Sequence, residues 1–446
     1  MMKAKVLLSA ILATATLASC VAGCSSAPAQ SSKEPEPSAS ETQPSSSGEK
    51  TDKYKGVTLS FLSNIAGVQS AEMEKVIKQF EEDTGAKVEY SSPGASYEEL
   101  MKTKMATKDL PDIWTTHGWS VARYGEYLEP LNSQEWAGKV SKSIKSIITD
   151  PENGNFYCLP LDIDICGIVY NKTVIEDIGV NVDDLKTWDD FKEALVKAKD
   201  KGYIPVHIAG KDSWTIGQFF DFAAPSFYIT NESANDREAL KNGTFDWSKW
   251  KGVAQMMADW RDAGLFNEDC LTADYNSAAK ALGEGKVAFE FYPNSVIAEA
   301  LNANPDAKMG MMPIPSNSKD DAPTLVSGER IAVGVWKDSP NKEAALELLN
   351  YFAQPDNMKA IASSDSLAAG FDDVESDTGM VKDDLAKYMA ECRVFPYFDR
   401  EYLPNGMWDD MCITGASILA NENNAVQKAC DSMKSSYEAK LNQTNE

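Results

Sequence analysis

The chain has 446 residues and a formal charge of −25, from 43 Lys and Arg against 68 Asp and Glu. That length suggests two or three domains, or one large bilobal one, at about 150 residues per domain. An acidic surface repels phosphate, which excludes a nucleic-acid partner and an electrostatic hold on anionic lipid, and two histidines leave few positions for His-based metal sites or catalysis.

The chain opens with Lys3 and Lys5, followed by an almost wholly apolar run, VLLSAILATATLA, over residues 6–18. This matches a signal-peptide core and falls short of the roughly 20 residues that span a bilayer. Leu17-Ala18-Ser19-Cys20 and Val21-Ala22-Gly23-Cys24 both resemble the bacterial lipobox, in which the Cys is acylated and becomes the new N-terminus. Cys24 is preferred over Cys20, because Gly23 precedes it and a polar segment follows at once. Residues 1–23 are thus read as a lipoprotein signal peptide. Residues 24–53 hold nine Ser and four Pro with no aromatic or branched aliphatic side chain. Such a composition cannot bury enough apolar area to offset its ordering entropy, which predicts a disordered tether.

Six cysteines follow, Cys158, Cys166, Cys270, Cys392, Cys412 and Cys430, at irregular spacings and without a CxxC. Disulfides and buried free thiols both remain open. No metal or cofactor site is expected.

Beyond the tether, strand and helix signals alternate. Val57, Leu59 and Phe61 predict a strand, Ser70 a cap for a helix with Met73, Val76, Ile77 and Phe80 inward, and residues 87–90 a second strand. Ser96 with Glu99 reads as a capping box, and residues 111–114 as a third strand. The pattern restarts with a strand over 163–170, a Thr187/Asp190 capping box, short strands at 205–208 and 287–289, and helices over 247–263 and 275–282. Ser339-Pro340 predicts a further helix start, and residues 411–441 one or two helices. Strands separated by helices imply right-handed crossovers and mainly parallel sheets, so the fold class is α/β in two lobes.

The order of landmarks resembles the maltose-binding-like extracellular solute-binding proteins that deliver sugars to ABC importers. The pieces are the lipobox and Ser-rich tether, LPDIWTTHGWS at 110–120, FYCLPLDIDICGIVYNKTVIEDIGV at 156–180 and TWDDFKEALVKAK from Thr187. ALGEGKVAFEFYPNS at 281–295, MGMMPIPS at 309–316 and SGERIAVGVWKDSPNKEAALELLNYF at 327–352 complete them. The resemblance implies a type II periplasmic-binding-protein-like fold, two α/β lobes joined by hinge crossings with ligand in the cleft. Residues 54–162 with 328–372 would form the first lobe, and 165–326 with 375–446 the second. It further implies a monomer held on the extracellular side of the cell membrane by its lipid alone, with permease subunits as partners and no enzymatic activity.

A sugar presents hydroxyls at its edge and an apolar C–H face, so a binder needs carboxylates and amides beside a Trp or Tyr. Trp119, in the loop after the third predicted strand, is the leading platform, flanked by His117 and Ser120. Asp162 and Asp164 lie at i and i+2 on the hinge strand and so share a face. By resemblance, Asp164 occupies the place of an acid that holds a sugar hydroxyl. The resemblance also brings in Lys211, Asp212 and Trp214 of GKDSW, Tyr292 with Asn294, Glu329 with Arg330, and Trp408 with Asp409. Two other functions compete. A glycoside hydrolase could use paired carboxylates, but both of these lie on one strand. A binder of a cationic solute such as a polyamine would also suit acids beside Trp.

Overall fold

The computed structural model describes residues 52–65 and 67–444. The signal peptide, Cys20, Cys24 and the tether up to Thr51 lie outside the described residues. Thirteen strands make three sheets. In chain order they are β1 (Thr58–Leu62), β2 (Lys87–Ser91), β3 (Ile113–Thr115), β4 (Leu159–Pro160), β5 (Asp162–Cys166), β6 (Ile168–Asn171) and β7 (Ile204–Val206). They continue as β8 (Val287–Glu290), β9 (Met309–Met312), β10 (Thr324–Glu329), β11 (Ala332–Val335), β12 (Ala368–Ala369) and β13 (Arg393–Pro396).

The first lobe is built on the sheet β2-β1-β3-β11-β4. β1 pairs parallel with β2 and β3, joined through the helix Gly67–Thr84, which buries Met73, Val76, Ile77 and Phe80. The second lobe is built on β7-β8-β6-β9, and a third sheet, β12-β5-β10-β13, lies at the crossings between them. The two C-terminal helices, Met407–Leu419 and Ala425–Thr444, pack on second-lobe helices, Met407–Leu419 against Trp214–Tyr228 and both against Lys251–Asp262. The architecture is therefore α/β with two lobes and hinge crossings.

Several local expectations are corrected. The strand expected over 163–170 breaks at Gly167 into β5 of the crossing sheet and β6 of the second lobe. Gly167 is pressed against the neighbouring strand, where a Cβ would lie 2.0 Å from the Met312 carbonyl oxygen. The sheets are less parallel than predicted: β11 runs antiparallel to β3 and β4, and β6 antiparallel to β8 and β9. β6 follows β5 directly, without a crossover helix, so no rule forces it parallel.

Helix starts differ too. The first helix begins at Gly67 and encloses Ser70, whose hydroxyl meets the Tyr90 hydroxyl at 2.9 Å. Ser96 makes no capping bond, because it closes a 3-10 turn at Gly94–Ser96. Ser339 donates its hydroxyl to Asp112 at 2.5 Å and accepts from the Asn341 N–H at 3.0 Å, and the helix starts after this turn, at Lys342. The Thr187/Asp190 box forms in both directions and opens Trp188–Asp200. All six cysteines downstream of the tether are free thiols.

Gly167→Ala sets a methyl group against rigid backbone rather than a flexible side chain. It should lower unfolding free energy by about 1–3 kcal/mol, as measured by urea denaturation of the ligand-free protein.

Candidate functional site

β5 crosses between the lobes with both acidic side chains buried. Asp162 accepts from Gln69 Nε2 at 2.5 Å and from the Ile331 N–H at 2.7 Å. The Arg330 guanidinium stands 3.6 Å from it and also holds Asp365 at 2.8 Å and Gln69 Oε1 at 2.8 Å. Burial pushes the Asp162 carboxyl up to about 7, against the pull of the Arg330 charge and the Ile331 N–H. Asp164, two residues on, accepts from the Tyr397 hydroxyl at 3.0 Å, while its Oδ1 has no protein partner. Burial raises its carboxyl as well, opposed by the charges of Arg330 and Arg400.

The return crossing supplies a second cluster. Glu329 accepts from the Ser120 N–H and hydroxyl, each at 3.1 Å, and from the Cys158 thiol at 2.7 Å. Burial, and then the Glu329 charge, drive that thiol up, so it stays protonated. A cavity of about 200 Å³ opens beside these groups, lined in part by Gly118, Ser120, Ser327, Glu329, Tyr397 and Arg400. Arg400 lies over the Tyr397 ring at 4.2 Å and donates to the Glu329 carbonyl at 3.0 Å.

On the second lobe three rings meet. Trp214 lies 5.2 Å from Tyr275 and 5.8 Å from Tyr292, and the two tyrosines are 5.6 Å apart, measured between centroids. The Tyr292 hydroxyl is used internally, donating to the His207 carbonyl at 3.2 Å and accepting from the Ala209 N–H at 3.1 Å. Burial lowers His207 to about 4, leaving a neutral imidazole. Tyr292 belongs to the buried cluster that holds Ile163 and Ile165 of β5, and Trp214 and Tyr275 pack against it, which ties the trio to the crossing. Glu290 sits nearby, 0% exposed and with both oxygens unpartnered, and burial alone pushes its carboxyl well up.

The remaining expected residues fall as follows. Trp119 is 7% exposed and packs with Trp114, Tyr124 and Tyr157. Its ring carries the Arg123 guanidinium at 4.4 Å. His117 pairs with Glu98 at 2.7 Å in a left-handed turn, φ 34°. Asn294 donates to the Ile165 carbonyl at 2.9 Å, latching the loop after β8 to the hinge strand, with its Oδ1 free. Lys211 is exposed and paired with Asp274 at 3.3 Å, and Asp212 accepts from the Tyr275 N–H at 2.7 Å. Trp408 is half-buried beside Gly217, and Asp409 is exposed. Gln69, Asp365, Tyr397 and Arg400 were not singled out in the sequence. Only the aromatic and charged run Tyr397-Phe398-Asp399-Arg400 carried a signal that could have found any of them.

The family of bacterial extracellular solute-binding proteins matches residues 63–359. The chain belongs to that family. A curated relative is the melibiose/raffinose/stachyose-binding protein MelE of Bacillus subtilis, 34% identical over 332 residues, 74% of this chain and 77% of MelE. Among solved structures, a binding protein of Bacillus subtilis in an open conformation is 31% identical with a TM-score of 0.79, covering 87% of this chain and 98% of that one. A sugar transporter of Bacillus licheniformis in complex with stachyose is 33% identical with a TM-score of 0.78, covering 85% of this chain and 99% of that one. As an extracellular solute-binding protein the chain is a binder, not an enzyme.

Burial would raise Glu98, yet the hydrogen bond and charge of His117 and the charge of Arg123 hold it at about 2. Its folded value lies below its unfolded one, so its contribution is present above about pH 4.3 and lost as pH falls toward 2. Glu98→Gln should therefore show a shallower loss of melting temperature between pH 5 and pH 2 than wild type, by calorimetry.

Proposed function

We propose that this solute-binding protein is the lipid-anchored component of an ABC importer, taking a sugar or oligosaccharide between its lobes and delivering it to the permease. The observation that carries the reading is that Trp214, Tyr275 and Tyr292 cluster together and pack against the buried cluster that holds Ile163 and Ile165 of β5, the strand whose Asp162 and Asp164 carry the polar groups of the crossing. Rings match the C–H face of a sugar, and fixed acceptors and donors match its hydroxyls. The likeness to MelE and to the stachyose complex makes melibiose, raffinose and stachyose the sugars to test.

The charge balance favours a neutral ligand over a polyamine. Asp162, Asp164 and Asp365 face Arg330, and Arg400 adds a further cation, so the acids are already answered. The lobes are proposed to divide as 54–162 with 328–372, and 165–326 with 375–446. Within the cleft, Asp164, Asn294, Trp214, Arg330 and Trp408 are the proposed contacts. Trp119, under Arg123, is assigned to the wall that holds the loop after β3.

Calorimetric titration of the full chain with raffinose tests the reading. Trp214→Ala should weaken binding by about 2 kcal/mol, roughly thirtyfold. Undiminished affinity in that variant would move the sugar away from the ring trio, and no heat with any of the three sugars would remove the reading.

The anchor is tested separately. Cys24→Ala should shift the protein from the membrane fraction to the medium. Release by Cys20→Ala alone would reassign the acylated residue, and release by neither would end the lipoprotein assignment.

A further inference from the structure

Asp221 is 0% exposed and Asp399 2% exposed. They come from separate elements, Asp221 from the helix Trp214–Tyr228 and Asp399 from the short helix Phe398–Tyr402. The Asp399 N–H donates to Asp221 Oδ1 at 2.8 Å, a bond that brings the two buried carboxyl groups side by side. Asp221 Oδ2 and Asp399 Oδ1 have no other partner. Two ionised carboxylates are both acceptors and cannot bond to one another. A single proton held by the pair gives it a donor beside an acceptor and removes one of the two buried charges.

Other ionisable groups surround the pair without replacing that proton. Arg400, on the same short helix, acts on both aspartates, and Arg123 from the first lobe acts on Asp399. The Cys412 thiol, on Met407–Leu419, faces Asp399, and burial keeps it protonated at about 12. Tyr397 and Asp164 lie beyond, reached through Arg400. None of them donates a hydrogen bond to either orphan oxygen.

The pair fixes the segment that carries Tyr397 and Arg400 against the helix that begins at Trp214. We propose that Asp221 and Asp399 share one proton and act as positioning residues, holding Tyr397 and Arg400 where the cleft ligand meets them. The proposal deepens the sugar-binding reading and rests on it. Burial raises both carboxyls from the usual carboxylate range, and the Asp399 charge adds to the rise at Asp221. The unfolded chain gives up this proton above about pH 4. The folded chain keeps it, so the pair's contribution to stability declines as pH climbs through the folded pair's own titration.

Asparagine at either position supplies the missing donor without titrating. The test compares Asp221→Asn and Asp221→Ala with wild type as full chains, using raffinose as probe, infrared detection of protonated carboxyl and thermal unfolding over pH. Asp221→Asn should bind raffinose within about threefold of wild type, and should lose both wild type's fall in melting temperature as pH rises above about 4 and its fall in affinity as the folded pair ionises. Asp221→Ala should weaken binding about tenfold or more at every pH, since a buried charge loses its partner. Wild type at neutral pH should show a protonated-carboxyl band that Asp221→Asn lacks, with bands from other buried carboxyls remaining. An unchanged set of bands in Asp221→Asn, or an Asn variant as impaired as the Ala variant, would overturn the proposal. If wild type binds no raffinose, the sugar reading falls, while the infrared band and the pH dependence of unfolding above about pH 4 still decide for or against the shared proton without ligand.

Discussion

Two carboxyls on one buried strand constrain everything around the crossing between the lobes. Asp162 and Asp164 belong to β5, both under 5% exposed. Leaving such charges uncompensated would cost several kcal/mol each. The chain meets the demand from three distant places, with Gln69 from the first helix, Arg330 from the return crossing and Tyr397 from beyond β13. None of these partners is near β5 in sequence. Their convergence joins the outward crossing, the return crossing and the C-terminal region around one polar core.

That polar core is embedded in apolar packing that ignores the division into lobes. Ile163, Ile165 and Val169 along the hinge strands belong to the same buried cluster as Leu59 and Ile113 of the first sheet and Met309 and Met311 of the second. Interior packing at this density favours discrete arrangements over gradual deformation. Gly167, between β5 and β6, is packed so closely against the Met312 backbone that a side chain has no room. Direct polar bonds between lobe surfaces are sparse. Arg123 reaches Asn405 at 3.1 Å, and Arg400 presses on Gly118. A ligand that touches both walls can supply what the surfaces lack, which is the differential affinity any closure requires.

Much of the fold was legible because the relevant forces are local. The inward face of Gly67–Thr84 follows helical periodicity, and the Thr187/Asp190 box needs only residues three apart. Legibility ended where distant partners competed. Ser339 could have capped a helix, yet its hydroxyl donates to Asp112 of the β3 approach and the helix starts only at Lys342. Ser96 is overridden by a 3-10 turn set by Pro93-Gly94. The split at Gly167 and the antiparallel pairings depend on β9 and β11, each more than 100 residues away. The site shows the same boundary. Asp162, Asp164 and Trp214 could be chosen from their place on a strand or after one, whereas Gln69, Asp365 and Arg400 acquire meaning only through their contacts. Trp119 packs with Trp114, Tyr124 and Tyr157 and carries Arg123, four residues on, over its ring, surroundings that its place after β3 does not reveal.

The charge of −25 in the whole chain makes the composition of the crossing informative. A protein so acidic has carboxylates to spare, yet Arg330 and Arg400 stand at the crossing and the acids there either pair with them or are driven toward their neutral form. Such an arrangement removes net charge from a buried space while keeping many hydrogen-bonding atoms within it. An anion would meet Asp162, Asp164 and Glu329, and a cation would meet both arginines, so either ion would be desolvated against a like charge. A neutral polyhydroxyl ligand meets neither penalty, because each of its hydroxyls can donate to a carboxylate and accept from a guanidinium.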